Sequence, residues 1–194
     1  MVDTKGALPK KEIWAIAGSA NQGKSLLTAS IGITLTRLNK KVLLVDADRG
    51  GANLHANLGI GYPEMTLSDF LNRRVANIEE VTIKTNIPNL SLISATQDFL
   101  DNANNSQRTR LLKHIETLDA EYILLDLGAG SSFSQLDLFL LSDKGILVVL
   151  QDPNSIENTY RFIKSAFYRR FKRIVTDKGI KNLIDAAMDR KNSL

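Results

Sequence analysis

At 194 residues, 43% hydrophobic and 24% charged, the chain suits a single globular domain with a proper core. Cysteine is absent, which removes disulfides, thiolate zinc sites and Cys-ligated iron–sulfur clusters together; no apolar run approaches the roughly 18 residues of a membrane span, and the polar start, residues 1–12, has no signal-peptide core, so the cytoplasm is the expected setting. The net charge of +4 is uneven: residues 161–194 hold ten Lys/Arg against three Asp/Glu, a surplus of seven, which leaves the remainder at −3.

In chain order, an apolar strand begins at Ile13 and leads into a glycine-bounded loop in which Gly18, Gly23, Lys24 and Ser25 satisfy G-x-x-x-x-G-K-[ST]. Trp14, in that strand, is expected to be core beside the loop. A helix follows, with Leu27, Ile31, Leu35 and Leu38 on one expected apolar face. Val42-Leu-Leu-Val45 is wholly apolar, as a strand covered on both sides should be, and it runs into Asp46-Ala-Asp48-Arg-Gly-Gly-Ala-Asn53. Thr66 and Asp69 have the spacing of a capped helix start. A helical piece is expected over residues 75–84, a turn at Pro88-Asn89, a strand over 90–95, an Asn-rich loop over 101–107 and a helix over 108–118 with Leu111, Leu112 and Ile115 on one face. Tyr122-Ile-Leu-Leu-Asp126 is a fourth strand, followed by Leu-Gly-Ala-Gly130 and a helix over 133–141. Residues 145–150 form a fifth strand, 155–174 a long helix and 180–188 another. Strands alternating with helices predict a parallel sheet joined by right-handed crossovers, a three-layer α/β/α domain over residues 1–194.

Ligands of such sheets sit beyond the carboxyl ends of the strands, and every candidate group lies at such an end. Main-chain amides of Gly18, Ser19, Ala20, Asn21, Gln22, Gly23, Lys24, Ser25 and Leu26 are placed to cradle phosphates at a helix N-terminus. In that loop Gly23 permits close approach, Lys24 reaches the β- and γ-phosphates, and the Ser25 hydroxyl holds Mg²⁺. Asp126 ends an apolar strand before Gly-Ala-Gly and is read as the metal-side carboxylate. Asp48 is assigned to the attacking water and Asp46 to support of the metal site, with Gly50 and Gly51 letting their loop change shape. ATP with Mg²⁺ is therefore the expected cofactor pair. His55 and His114 have no second ligand at metal spacing and are read as packing or surface residues. In the basic helix, Ile163, Phe167, Phe171 and Ile174 are read as a core face, with Arg169, Arg170, Lys172 and Arg173 as a solvated rim. The alternative is a patch that meets an anionic membrane surface or DNA.

With these residues in hand, the chain resembles the MinD/ParA family of P-loop ATPases, above all the MinD-like branch of the flagellar-number regulators FlhG and FleN. The carriers are residues 18–25, the stretch 42–59 with its Asp-Ala-Asp-x-Gly-x-Ala-Asn core, residues 122–130, and Asp152-Pro-Asn-Ser-Ile-Glu-Asn-Thr-Tyr-Arg161. The resemblance implies an ATP-dependent homodimer switch, peripheral at a membrane or bound to DNA or a protein partner, that positions a cellular structure. Two departures qualify it. Ser19 stands where the family carries its signature lysine, which implies slow or partner-dependent hydrolysis. The family's last strands fall beyond Leu194, so the fifth strand is expected to be a sheet edge. A nucleotide-binding scaffold that does not hydrolyse, and a metabolic ATP-dependent enzyme of the same fold, are the alternatives; the lack of cysteine disfavours the reductase and cluster-carrier branches.

Overall fold

The computed structural model describes residues 11–48, 53–94, 114, 117–175, 179, 180, 182, 183 and 186. The expected loop at 101–107, nearly all of the helix over 108–118, Gly50 and Gly51, most of the helix over 180–188, and the side chains of Arg173 and Ile174 lie outside the described residues.

The elements in order are β1 (Glu12–Gly18), α1 (Lys24–Arg37), β2 (Val42–Ala47), α2 (Leu54–Asn57), α3 (Leu67–Leu71), β3 (Thr82–Lys84), β4 (Leu90–Ser94), β5 (Tyr122–Leu127), α4 (Phe133–Leu141), β6 (Lys144–Val148) and α5 (Pro153–Ile174). They build a sheet of order β3-β4-β2-β5-β1-β6, parallel at every pairing except β3 with β4. This is a mostly parallel sheet with flanking helices, with β6 as an edge among the described strands. Alternation along the central strands sends Ala15, Ala17, Val45, Ile123 and Leu125 to one core and Ile16, Leu44, Leu92 and Leu124 to the other. α3, α4 and α5 cover the first core, and α1 covers the second.

Three expectations are corrected. The helical piece over 75–84 is much shorter than expected. Residues 78–81 make a 3₁₀ turn, with the Asn77 N–H donating to the Glu80 carboxylate at 2.9 Å. The β-branched Thr82 and Ile83 then pair antiparallel with β4 across the Pro88-Asn89 turn, where Asn89 takes φ 64°. In α1 the buried face toward the sheet is Thr28, Ala29, Gly32 and Thr36; of the expected face, Ile31 and Leu35 are partly buried against the same core, whereas Leu27 and Leu38 are exposed. A small-residue face lets the helix sit low on the sheet: a Cβ on Gly32 would stand 2.8 Å from Leu44 Cδ2.

The third correction concerns α5. Its buried positions are Ser155, Thr159, Phe162 and Ala166, while Ile163, Phe167 and Phe171 are 50%, 63% and 40% exposed. The larger apolar stripe of the helix thus faces away from the core. Arg169 is not a free rim charge either. It forms a bidentate pair with Asp137 of α4 at 2.8 and 2.9 Å and lies over the Phe133 ring, contacts that suit the orientation in which Phe162 and Ala166 are buried.

Candidate nucleotide site

Parallel registration brings three strand ends together. Ile16 of β1 lies opposite Asp126 of β5, and Asp46 of β2 lies opposite the same residue on its other side. The loop after β1 therefore faces the carboxylates that close β2 and β5.

The loop has a defined conformation. Gly18 has φ 155° and its Cβ would meet the Val148 carbonyl oxygen at 2.5 Å, so only glycine fits. Gly23 has φ 78°. Nothing lies within 4 Å of a Cβ built there, so this glycine is required by its left-handed backbone, and the expected collision is not with protein. Lys24, only 5% exposed, folds back and donates to the Ser19 carbonyl at 2.9 Å. Gln22 latches the loop: its Oε1 accepts from the Ser19 N–H at 3.1 Å, and its Nε2 donates to Ser155 Oγ at 2.5 Å. Ser155 Oγ also accepts from the Leu150 N–H, and the Ser155 N–H donates to Asp152, which caps α5. The loop is thereby tied to the start of α5, a link that motif spacing does not reveal.

The carboxylates divide by their partners. Asp46 is fully buried, and its two oxygens accept from the Asp48 and Leu54 N–H groups, each at 3.1 Å. It clamps both ends of the segment that carries Asp48. Burial, then the charge of Asp126, pushes its pKa up to about 7. Asp126 is equally buried; Thr28 Oγ1 stands 3.5 Å from its Oδ1, and its Oδ2 has no hydrogen-bond partner. Burial raises its pKa to about 6 against the opposing Ser25 hydrogen bond and Lys24 charge. Asp48 packs against the segment after β5, where a Cβ on Gly128 would stand 2.6 Å from its Oδ1. Residues 20–26, Asp48, Asn53, Asn57 and Ala129 enclose a cavity of about 430 Å³.

Residues 20–26 and Asp48 line this cavity, Gly18 and Ser19 line a neighbouring one, and Asp46 and Asp126 are fully buried at the adjoining strand ends. Asn53, Asn57, Gly128 and Ala129 belong to the site without having been assigned to bind the nucleotide; Asn53, Gly128 and Ala129 stood inside quoted stretches, Asn53 as part of the loop expected to change shape, and Asn57 reaches the cavity only because α2 folds over it. A buried carboxylate oxygen without a partner, beside Ser25 and Lys24, is chemically suited to a divalent cation that arrives with phosphates. Among the described residues no group of three His, Cys, Asp or Glu could hold a metal alone. The histidines pack on rings, His55 on Tyr62 and His114 on Phe70. Trp14 lies at the far end of β1 from the loop, edge-on to Tyr122 and under Lys144, so it does not flank the cradle. No described helix is long and apolar enough to cross a membrane.

Residues 16–172 match the family model described as AAA domain. The chain is 28% identical over 148 residues to the septum site-determining protein MinD of Synechocystis, covering 76% of this chain and 56% of that protein. It is 26% identical over 160 residues to the antiactivator FleN of Pseudomonas aeruginosa, covering 80% and 56%. It therefore spans about half the length of these curated relatives. Cobyrinic acid a,c-diamide synthase of Mycobacterium smegmatis, solved with an ATP analogue and magnesium, shares the fold with a TM-score of 0.71 at 19% identity, over 84% of this chain and 69% of that one.

Proposed function

We propose, from the premise that this chain belongs to the AAA domain family in its MinD- and ParA-like P-loop ATPase branch, that it is a regulatory ATPase working as an ATP-dependent dimer switch in cellular positioning. The observation that carries the reading is a loop-lined cavity walled by Lys24, Ser25 and Asp48, with the buried Asp126, whose Oδ2 has no hydrogen-bond partner, beside Ser25 and Lys24. Lys24 and the amides of residues 18–26 hold the phosphates of ATP or ADP. Ser25 and Asp126 would hold the magnesium that neutralises them. Asp48 orients the attacking water, and Asp46 supports the site by clamping the Asp48 segment. Likeness in sequence to MinD and FleN over three quarters of the chain favours a regulatory role over a metabolic one, for which the support is shared fold alone.

Ser19 supplies no cation, so hydrolysis is slow without a partner: a charge-stabilising donor contributes orders of magnitude in rate. Calorimetry with Mg-ATP, sizing by light scattering with ATP and with ADP, and single-turnover hydrolysis on one sample test the reading together. Uptake of Mg-ATP, a dimer with ATP only, and slow turnover raised by Ser19→Lys are expected. No uptake by folded protein would overturn it. Uptake with dimerisation but no turnover would leave a nucleotide-binding scaffold.

A further inference from the structure

A second cavity, of about 360 Å³, lies on the other side of the phosphate loop, between the loop's first residues, the segment after β5 and the inner side of α5. It shares two wall residues, Ala20 and Ala129, with the nucleotide cavity, so the two are neighbours separated by the loop. Of its walls, the proposed nucleotide chemistry uses only the main-chain amides of Gly18, Ser19 and Ala20.

Its polar side chains, Ser19, Ser131, Asn158, Thr159 and Arg161, can all donate. Thr159, 8% exposed, and Ser19 line it, and each has a buried hydroxyl oxygen with no hydrogen-bond partner. A buried hydroxyl without a protein partner is costly and uncommon, and leaves a donor available to water or to a ligand. Asn158 and Arg161 also line the cavity, and no carboxylate is among its described walls. Arg161 pairs with Glu157 one helical turn back, at 2.6 Å. Both side chains are more than half exposed, and such a pair contributes little and exchanges readily. A guanidinium meeting a tetrahedral oxyanion can form two parallel charge-assisted hydrogen bonds instead.

We propose that this cavity is a phosphate-binding site that receives the inorganic phosphate released next door. Arg161 supplies the charge, and Ser19, Thr159 and Asn158 supply neutral donors. Resting on the nucleotide reading above, the proposal adds a holding place for the product. Glu157 acts as the competitor that Arg161 leaves when phosphate enters.

The test is titration of inorganic phosphate into the full chain saturated with Mg-ADP, with Mg-ADP affinity measured separately on every variant. Wild type binds phosphate beside ADP. Arg161→Ala weakens it about tenfold, Thr159→Val weakens it several-fold, and Glu157→Gln tightens it, all with Mg-ADP affinity unchanged. A gain in a variant cannot come from misfolding, so Glu157→Gln protects the test from a structural explanation. Absence of phosphate binding in ADP-loaded protein, or binding indifferent to Arg161 and Glu157, overturns the proposal. Failure of Mg-ADP to bind would instead strike the nucleotide reading, and the two failures are read from different titrations. A phosphorylated peptide or lipid headgroup that outcompetes free phosphate only in the presence of Arg161 would move the source of the anion from product to partner and overturn the product assignment.

Discussion

Asp126 shows how one residue can serve function at the expense of stability. A carboxyl whose pKa rises to about 6 on folding from 3.8 holds a proton in the native state that the unfolded chain has already released. The folded state binds more protons between those values, so stability falls as pH rises through that window and stays reduced above it. At one pH unit per 1.4 kcal/mol this amounts to roughly 3 kcal/mol. Asp46, raised to about 7, carries the trend up to neutrality. Thermal unfolding of nucleotide-free protein is therefore expected to show a Tm that declines from pH 5 to pH 8. Asp126→Asn should raise Tm at pH 8 more than at pH 5 and remove the gain that Mg²⁺ gives to nucleotide binding. A flat pH profile, or a destabilised Asn variant, would refute this account of the site. Gly18→Ala is expected to lose the loop altogether, since its Cβ would press on the Val148 carbonyl, and loss of nucleotide binding would exceed loss of Tm.

At the scale of the element, α5 is the informative case. Its pattern contains two apolar stripes, and the one with the larger side chains is not the buried one. Phe162, 6% exposed with its ring 5.0 Å from Phe139, should cost about 3–5 kcal/mol when cut to alanine. Phe167, 63% exposed, should cost within about 0.5 kcal/mol when changed to serine. Denaturant midpoints of the two variants decide which stripe is core. The exposed stripe, with Arg170 beside it, is the surface on which the alternative reading, contact with an anionic membrane or DNA, is tested. Vesicle or DNA co-sedimentation that weakens on Arg170→Glu and at raised salt would support that contact, and retention independent of both would refute it.

For the whole molecule, the shared dependence of the loop after β1, Asp48 and α5 on one strand-end cluster predicts that ligand reports globally. The Gln22–Ser155 bond couples the loop to α5, and Asp46 couples β2 to α2 through Leu54. Mg-ATP at 100 times its Kd should add about 2.7 kcal/mol of stability to every probe of unfolding alike. Gln22→Ala should retain much of the nucleotide affinity while weakening ATP-dependent protection of amides at the start of α5, measured by hydrogen exchange; equal protection in both proteins would remove the coupling.

The cradle, the strands at Val42 and Tyr122 and the carboxylates at their ends were legible along the chain. A glycine-bounded loop between an apolar run and a helix, and an aspartate after four apolar residues, are local patterns with local causes. What the tertiary structure alone decided was which groups share a partner. Asp46 and Asp126 became neighbours through strand registration, Asp46 spent its oxygens on backbone while Asp126 kept one without a partner, and Arg169 went to Asp137 on another helix. The buried faces of α1 and α5 were set the same way. Periodicity can show that a helix has an apolar side, but only the distance to the sheet determines whether small residues or large ones fit beneath it.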